Sequence, residues 1–256
     1  MRTVTATRYV QPLREGGSLP ALVEADDDGL YVLKFRGAGQ GPKALIAELV
    51  AGEIGRLVGL PVPEIVLIAV DPLFGRNEPD GEIRELARAS AGTNVGLDFL
   101  PGALGWEPAL APPPDPELAA RVVWFDALVT NVDRTAKNPN LLLWHRELQL
   151  VDHGATLYFH HDWPDHLARA RSRFAAIASH VLLPLAGDVA QADAELAPKI
   201  TDAALHEILA QVPDDWLTED AGPDAMRAGY VAHLRARLQA PRSFVEEAAS
   251  ARAHVV

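Results

Sequence analysis

Apolar and polar positions alternate in short runs through the first hundred residues, then stretch into helical spacings. Tyr9 and Val10 lead into a turn-prone segment, QPLREGGSLP. Residues 21–24 and 30–35 are β-type runs on either side of ADDDG, and Asp28-Gly29 between them predicts a hairpin. In the second run, LYVLKF, period-two alternation puts Tyr31, Leu33 and Phe35 on one face and Val32 and Lys34 on the other. A helix is predicted over residues 43–58, with Ile46, Leu49, Val50, Ile54 and Leu57 as its apolar stripe, Gly59 as its stop, and Pro61 and Pro63 keeping the chain extended. The run IVLIAV then has strand length. It is followed by a loop through Asp80 and a segment ending in VGLDFLPG.

Proline-rich APPPDPE, residues 111–117, can be neither helix interior nor central strand and marks a connection. Helices are predicted beyond it over residues 117–129, 169–179, 201–211 and 225–240, with two short strands, 141–143 and 148–151, around the turn HRE. The expectation is an α+β protein with a strand-rich lobe over residues 1–110 and a larger, mainly helical lobe over residues 117–256.

Composition narrows the chemistry. The chain has 256 residues, 48% hydrophobic and 23% charged, which suits a globular protein. It has no cysteine, which removes disulfides, thiolate zinc sites and thiol nucleophiles. The N-terminus lacks the apolar core of a signal peptide, and no apolar run approaches the roughly 20 residues a bilayer span requires, so a cytoplasmic protein is expected. The net charge of −12 argues against binding nucleic acid or anionic membrane through a broad basic surface.

The chemistry is concentrated in residues 126–154, DALVTNVDRTAKNPNLLLWHRELQLVDHG. Asp133, Asn138 five positions later, and Asp152 followed by His153-Gly154 have the order expected of a phosphoryl-transfer site. The first carboxylate accepts a proton from a hydroxyl, and the Asn and second Asp hold Mg²⁺. Such chemistry also needs a glycine turn over the phosphates, and Gly16, Gly17 and Ser18 stand where it belongs. It needs a strand lysine as well, which is Lys34, with a carboxylate partner from the following helix. The helical wheel puts Glu53 within the apolar stripe and Glu48 nearer the opposite side, so periodicity nominates Glu53. His160, His161 and Asp162 show no third ligand at a recognisable spacing and read as a surface loop.

The segments YVLKF, AELVAGEIGRLVGLPVPE, NVDRTAKN and LVDHG, within residues 10–155, resemble the HipA-like kinases of the wider protein-kinase-like and phosphoinositide-kinase-like superfamily. Beyond residue 155 only VPDDWL looks familiar. The resemblance implies a two-lobed protein-kinase-like fold in which Lys34 binds the phosphates of ATP, Asp133 is catalytic, and Asn138 and Asp152 coordinate Mg²⁺. It also implies a hinge at Asp98, Phe99 and Leu100 that receives adenine. By position before GLPVP, the helix carboxylate falls on Glu48, against the wheel, and Ser18 is the counterpart of an autophosphorylation site.

Two departures stand out. Thr135 occupies the place of a loop His, and only about ten residues precede the glycine turn, too few for the extra N-terminal subdomain of HipA toxins. The second departure weighs against a toxin role with a DNA-binding antitoxin, which the sequence leaves open. The function expected is an ATP- and Mg²⁺-dependent serine/threonine protein kinase. The alternatives are a nucleotide-binding pseudokinase that scaffolds partners, or a kinase of a small-molecule or phosphoinositide-type alcohol.

Overall fold

The computed structural model describes residues 1–13, 19–39 and 41–255. Five strands, β1 (Thr3–Pro12), β2 (Ala21–Ala25), β3 (Leu30–Lys34), β4 (Ile65–Val70) and β5 (Gly92–Asp98), close into a barrel in the order β1-β2-β3-β5-β4. The predicted hairpin is present, with Val23 opposite Tyr31. The alternation of β3 also holds, since Tyr31, Leu33 and Phe35 are buried in the barrel and Lys34 faces away from it.

Closure comes from a strand start that the sequence reading missed. Thr3, Val4 and Thr5 pair in parallel with Leu67, Ile68 and Ala69. Small residues make the tight interior possible: Ala6, Ala21 and Ala25 point into it, and a Cβ on Gly96 would lie 2.2 Å from Ile68 Cδ1. A barrel of few strands leaves room for little else.

Helix α1 (Pro42–Val58) runs beside the barrel. Its core is continuous with that of the helical remainder, so β4, β5 and α1 share one apolar cluster with the later helices. Helix α2 (Gly81–Ala89), unread in the sequence, is capped by Asp80, which accepts from the Glu82 N–H. A small sheet pairs β6 (Leu104–Gly105), which precedes helix α3 (Pro116–Val129) in the chain, with β7 (Leu141–Trp144) and β8 (Glu147–Leu150), which follow it. Its hairpin turns on His145 and Arg146, both with positive φ, the backbone a two-residue turn of this kind demands.

The remainder comprises α4 (His166–Arg169), α5 (Val189–Leu196), α6 (Asp202–Leu209), α7 (Pro223–Leu238) and α8 (Ser243–Val255). The single helix expected over residues 169–179 is absent; α4 ends at Arg169, and a short 3-10 turn occupies Ala175–Ser179. Here a tertiary partner replaces helical hydrogen bonding. The buried guanidinium of Arg237 takes the carbonyls of Ala170 and Ser172, along with those of Ala127 and Leu128 at the end of α3. No helix among the described residues is long and apolar enough to cross a membrane.

Candidate active site

Lys34 is the last residue of β3, turned outward by the alternation that buries Leu33. Its Nζ lies 2.7 Å from Glu48 Oε2 and 2.6 Å from Asp152 Oδ1, joining α1 to a residue 118 positions away. The Lys34 side chain is 12% exposed and that of Glu48 fully buried. Burial disfavours the charged ammonium, but Glu48 and Asp152 outweigh it and push the Lys34 pKa up. Burial likewise pushes the Glu48 carboxyl up, yet the Lys34 charge and hydrogen bonding to His153 hold it down at about 2. The His153 N–H donates to Glu48 Oε2 at 2.9 Å. Both ends of the pair are therefore ionised at neutral pH.

Glu53 is elsewhere. It faces Arg56 at 3.3 Å, and burial raises its carboxyl. The wheel chose it because it assumed one apolar stripe. Helix α1 is instead buried on most sides, between barrel and helical remainder, so residues from Leu45 to Ile54 other than Glu53 are all buried. In such a helix the stripe does not say which carboxylate turns toward Lys34.

The second half of the site begins in α3. Asp126 is a lone carboxylate in the apolar run VVWFDALV and is fully buried. Its Oδ2 accepts from Arg134 Nε at 2.6 Å and from His180 Nε2 at 2.8 Å, and its Oδ1 accepts from Asn131 Nδ2 at 2.9 Å. The His180 tautomer follows from geometry: Nδ1 accepts from the Leu182 N–H at 3.1 Å, leaving the proton on Nε2. Burial raises the Asp126 carboxyl, but Arg134 and His180 overcome it and hold it well below the usual carboxylate range. Arg134 also donates to the Asn140 carbonyl and lies 3.5 Å from that of Val151, so the same guanidinium reaches the strand end that presents Asp152.

On this scaffold the Asp133 N–H donates to Asn131 Oδ1 at 3.0 Å. Its carboxylate accepts from Asn138 Nδ2 at 2.7 Å and Asn140 Nδ2 at 3.3 Å. Thr135 closes a tight turn, with its N–H on the Asp133 and Asn138 carbonyls, and pairs through its backbone with His180. Asp152 adopts φ 58°, which turns its carboxylate back toward Lys34, and its side chain stays 42% exposed.

At the far end of β5, the Asp98 N–H donates to the Glu64 carbonyl and the Phe99 N–H to that of Leu30, at 2.8 and 3.0 Å. Leu100 is buried, and burial, followed by the charge of Glu64, raises the Asp98 carboxyl. Gly16, Gly17 and Ser18 lie outside the described residues.

The structure thus joins Lys34, Glu48 and Asp152 directly, and Asp133 with Asn138. Sequence reasoning missed Asn131, Asn140, Arg134, His180 and the role of Asp126. A carboxylate inside VVWFDALV was the available signal, because it cannot be buried without a cation. His160 was misread as surface. It is fully buried, with Nδ1 3.0 Å from Tyr230 Oη, because α7 covers this loop.

A family model described as HipA-like kinase matches residues 7–244. The chain belongs to the HipA-like kinase family. It is a kinase, a phosphotransferase with a two-lobed protein-kinase-like fold. Among solved structures it is similar to CtkA, a proinflammatory kinase of Helicobacter pylori, at 13% identity and a TM-score of 0.56, covering 99% of this chain and 98% of that one. A Golgi casein kinase structure aligns at 11% identity and a TM-score of 0.49, covering 99% of this chain and 74% of that one. At 13% identity the likeness to CtkA speaks of fold alone. No curated protein matches.

Proposed function

We propose that this HipA-like kinase transfers the γ-phosphoryl group of ATP, with Mg²⁺, to a hydroxyl, that of Ser or Thr in a protein. The observation that carries the reading is the bridging of Glu48 and Asp152 by Lys34. It brings together the cation assigned here to phosphate and the carboxylate assigned to the metal.

Asp133 is assigned the acceptor. Its carboxylate, oriented by Asn138 and Asn140, receives the hydroxyl proton as the oxygen bonds to the γ-phosphorus. The bond from that phosphorus to the β–γ bridging oxygen breaks, and ADP leaves. Lys34 is assigned the α and β phosphates, with Gly16, Gly17 and Ser18 above them. In the hinge of Asp98, Phe99 and Leu100, the first two N–H groups are engaged by Glu64 and Leu30, so adenine is assigned to Leu100.

The donor set fits Mg²⁺. Asp152 and Asn138 offer hard oxygens on exposed side chains, and Mg²⁺ takes few protein ligands and completes its shell with water and phosphate. Among the described residues no group of three or more His, Cys, Asp or Glu could hold a metal ion. Bound there, Mg²⁺ would neutralise charge on the β and γ phosphates.

The test is incubation with γ-labelled ATP, with and without Mg²⁺, against a protein extract and a panel of soluble alcohols. Mg²⁺-dependent label in protein Ser or Thr supports the proposal. Label only in small alcohols replaces the acceptor, and tight ATP binding without transfer leaves the pseudokinase reading that Thr135 motivates.

A further inference from the structure

Helix α1 carries Glu48, and although Pro42 starts it, its first turn has no side-chain cap. The N-cap is Gly41 with no side-chain cap, the first turn contains no acidic residue, and Lys43 places a positive charge at the positive end of the helix dipole. Its position must come from outside. The Lys43 ammonium is 2.8 Å from Glu219 Oε1 and 2.6 Å from the carbonyl of His160, in the segment that follows Asp152. At the other end of α1, Lys199 Nζ lies 3.3 Å from the carbonyl of Val58.

Between Lys199 and Glu219 the chain passes through α6, which packs on α1, and then VPDDWL, whose purpose the catalytic reading leaves unexplained. That motif is an anchor on the barrel. Arg36, two residues beyond Lys34, is 2.5 Å from Asp215, and the buried Trp216 donates its indole N–H to the Thr93 carbonyl of β5 at 3.2 Å.

We propose that residues 199–219 form a latch, built into the chain, that holds α1 in place so that Glu48 meets Lys34 without a partner protein. Lys43 and Glu219 are its positioning pair. The latch fixes both ends of α1 and ties the same segment to the strands bearing Lys34 and the hinge. Lys43 also joins it to His160 in the segment that follows Asp152, so one ammonium touches α1, the latch and that segment together. The inference rests on the reading of Lys34 and Glu48 as the phosphate-binding pair.

The test uses the full chain carrying Glu219→Gln or Lys43→Met, read by hydrogen exchange of the α1 amides and by MgATP affinity. Exchange is expected to accelerate in α1 and not in α3 or α7, and affinity to fall about three- to tenfold. In a Glu48→Gln background the Glu219→Gln change should add no further loss, because the latch acts through Glu48. Unchanged α1 exchange overturns the proposal. So does acceleration spread evenly over all helices, or a full additional loss of affinity in the Glu48→Gln background. A chain that transfers no phosphate would refute the kinase reading while leaving the exchange result to decide the latch.

Discussion

Lys34 and Glu48 are costly residues to bury, and each is tolerable because of the other. Removing one partner of such a pair costs about 3–5 kcal/mol, since the survivor keeps its desolvation penalty. The effects here are unequal. Lys34→Met strands Glu48 and leaves Asp152 without its cation, whereas Glu48→Gln retains the shape of the side chain and leaves Lys34 with Asp152. Urea unfolding at pH 7 is expected to show the larger loss for Lys34→Met, and equal stability of that variant and wild type would contradict the pair as described. Asp126, Arg134 and His180 make a second buried set, whose effect is geometric: it fixes the loop that carries Asp133. Lys34 was legible in the sequence because one charge interrupts a β-run. Arg134 was not legible as a buried residue, since DR in a polar loop reads as solvated until Asp126 is known to face it.

Among the elements, the β2–β3 hairpin and α1 were legible from periodicity and turn residues to within a residue or two. Barrel closure was not, and neither was the choice of Glu48 over Glu53 by periodicity, although the position before GLPVP had placed the carboxylate on Glu48. Both depend on which other element covers a face, and period alone cannot report that. Gly96 shows the difference. In a strand it reads as a weakness, but in the barrel an added methyl would meet Ile68 Cδ1 at 2.2 Å, Ile68 Cγ1 at 2.8 Å and Val66 Cγ2 at 3.1 Å. Gly96→Ala should therefore destabilise by about 1–3 kcal/mol, against the usual gain from restricting the unfolded chain. The urea midpoint decides it, and a midpoint at or above that of wild type would show that the barrel interior yields to a methyl. The helix expected over residues 169–179 failed for a related reason: Arg237, distant in sequence, supplies the hydrogen bonds that a helix would have made internally.

For the whole molecule, two buried histidines set the acid limit of stability. Burial, then His161 and Lys43, depress His160 to about 3. Burial likewise brings His233 to about 4, against a hydrogen bond to the His166 carbonyl that works the other way. Both stay neutral when folded while the unfolded chain takes up protons from about 6.5 downward, so their contribution is complete above that pH and declines below it. The decline is about 1.4 kcal/mol per pH unit for each. Glu48 adds nothing in this window, because its loss begins only below its unfolded value of 4.5. Stability measured by urea should be lower at pH 5 than at pH 7.5 by a few kcal/mol, and no difference would contradict the burial of these rings. The proposed role of Asp133 is tested by one preparation of Asp133→Asn measured for both MgATP affinity and the rate of phosphate transfer. Nucleotide affinity is expected to stay close to that of wild type while transfer slows about 10²–10⁴-fold, the contribution of a positioned base. Transfer at the wild-type rate would remove Asp133 from the chemistry.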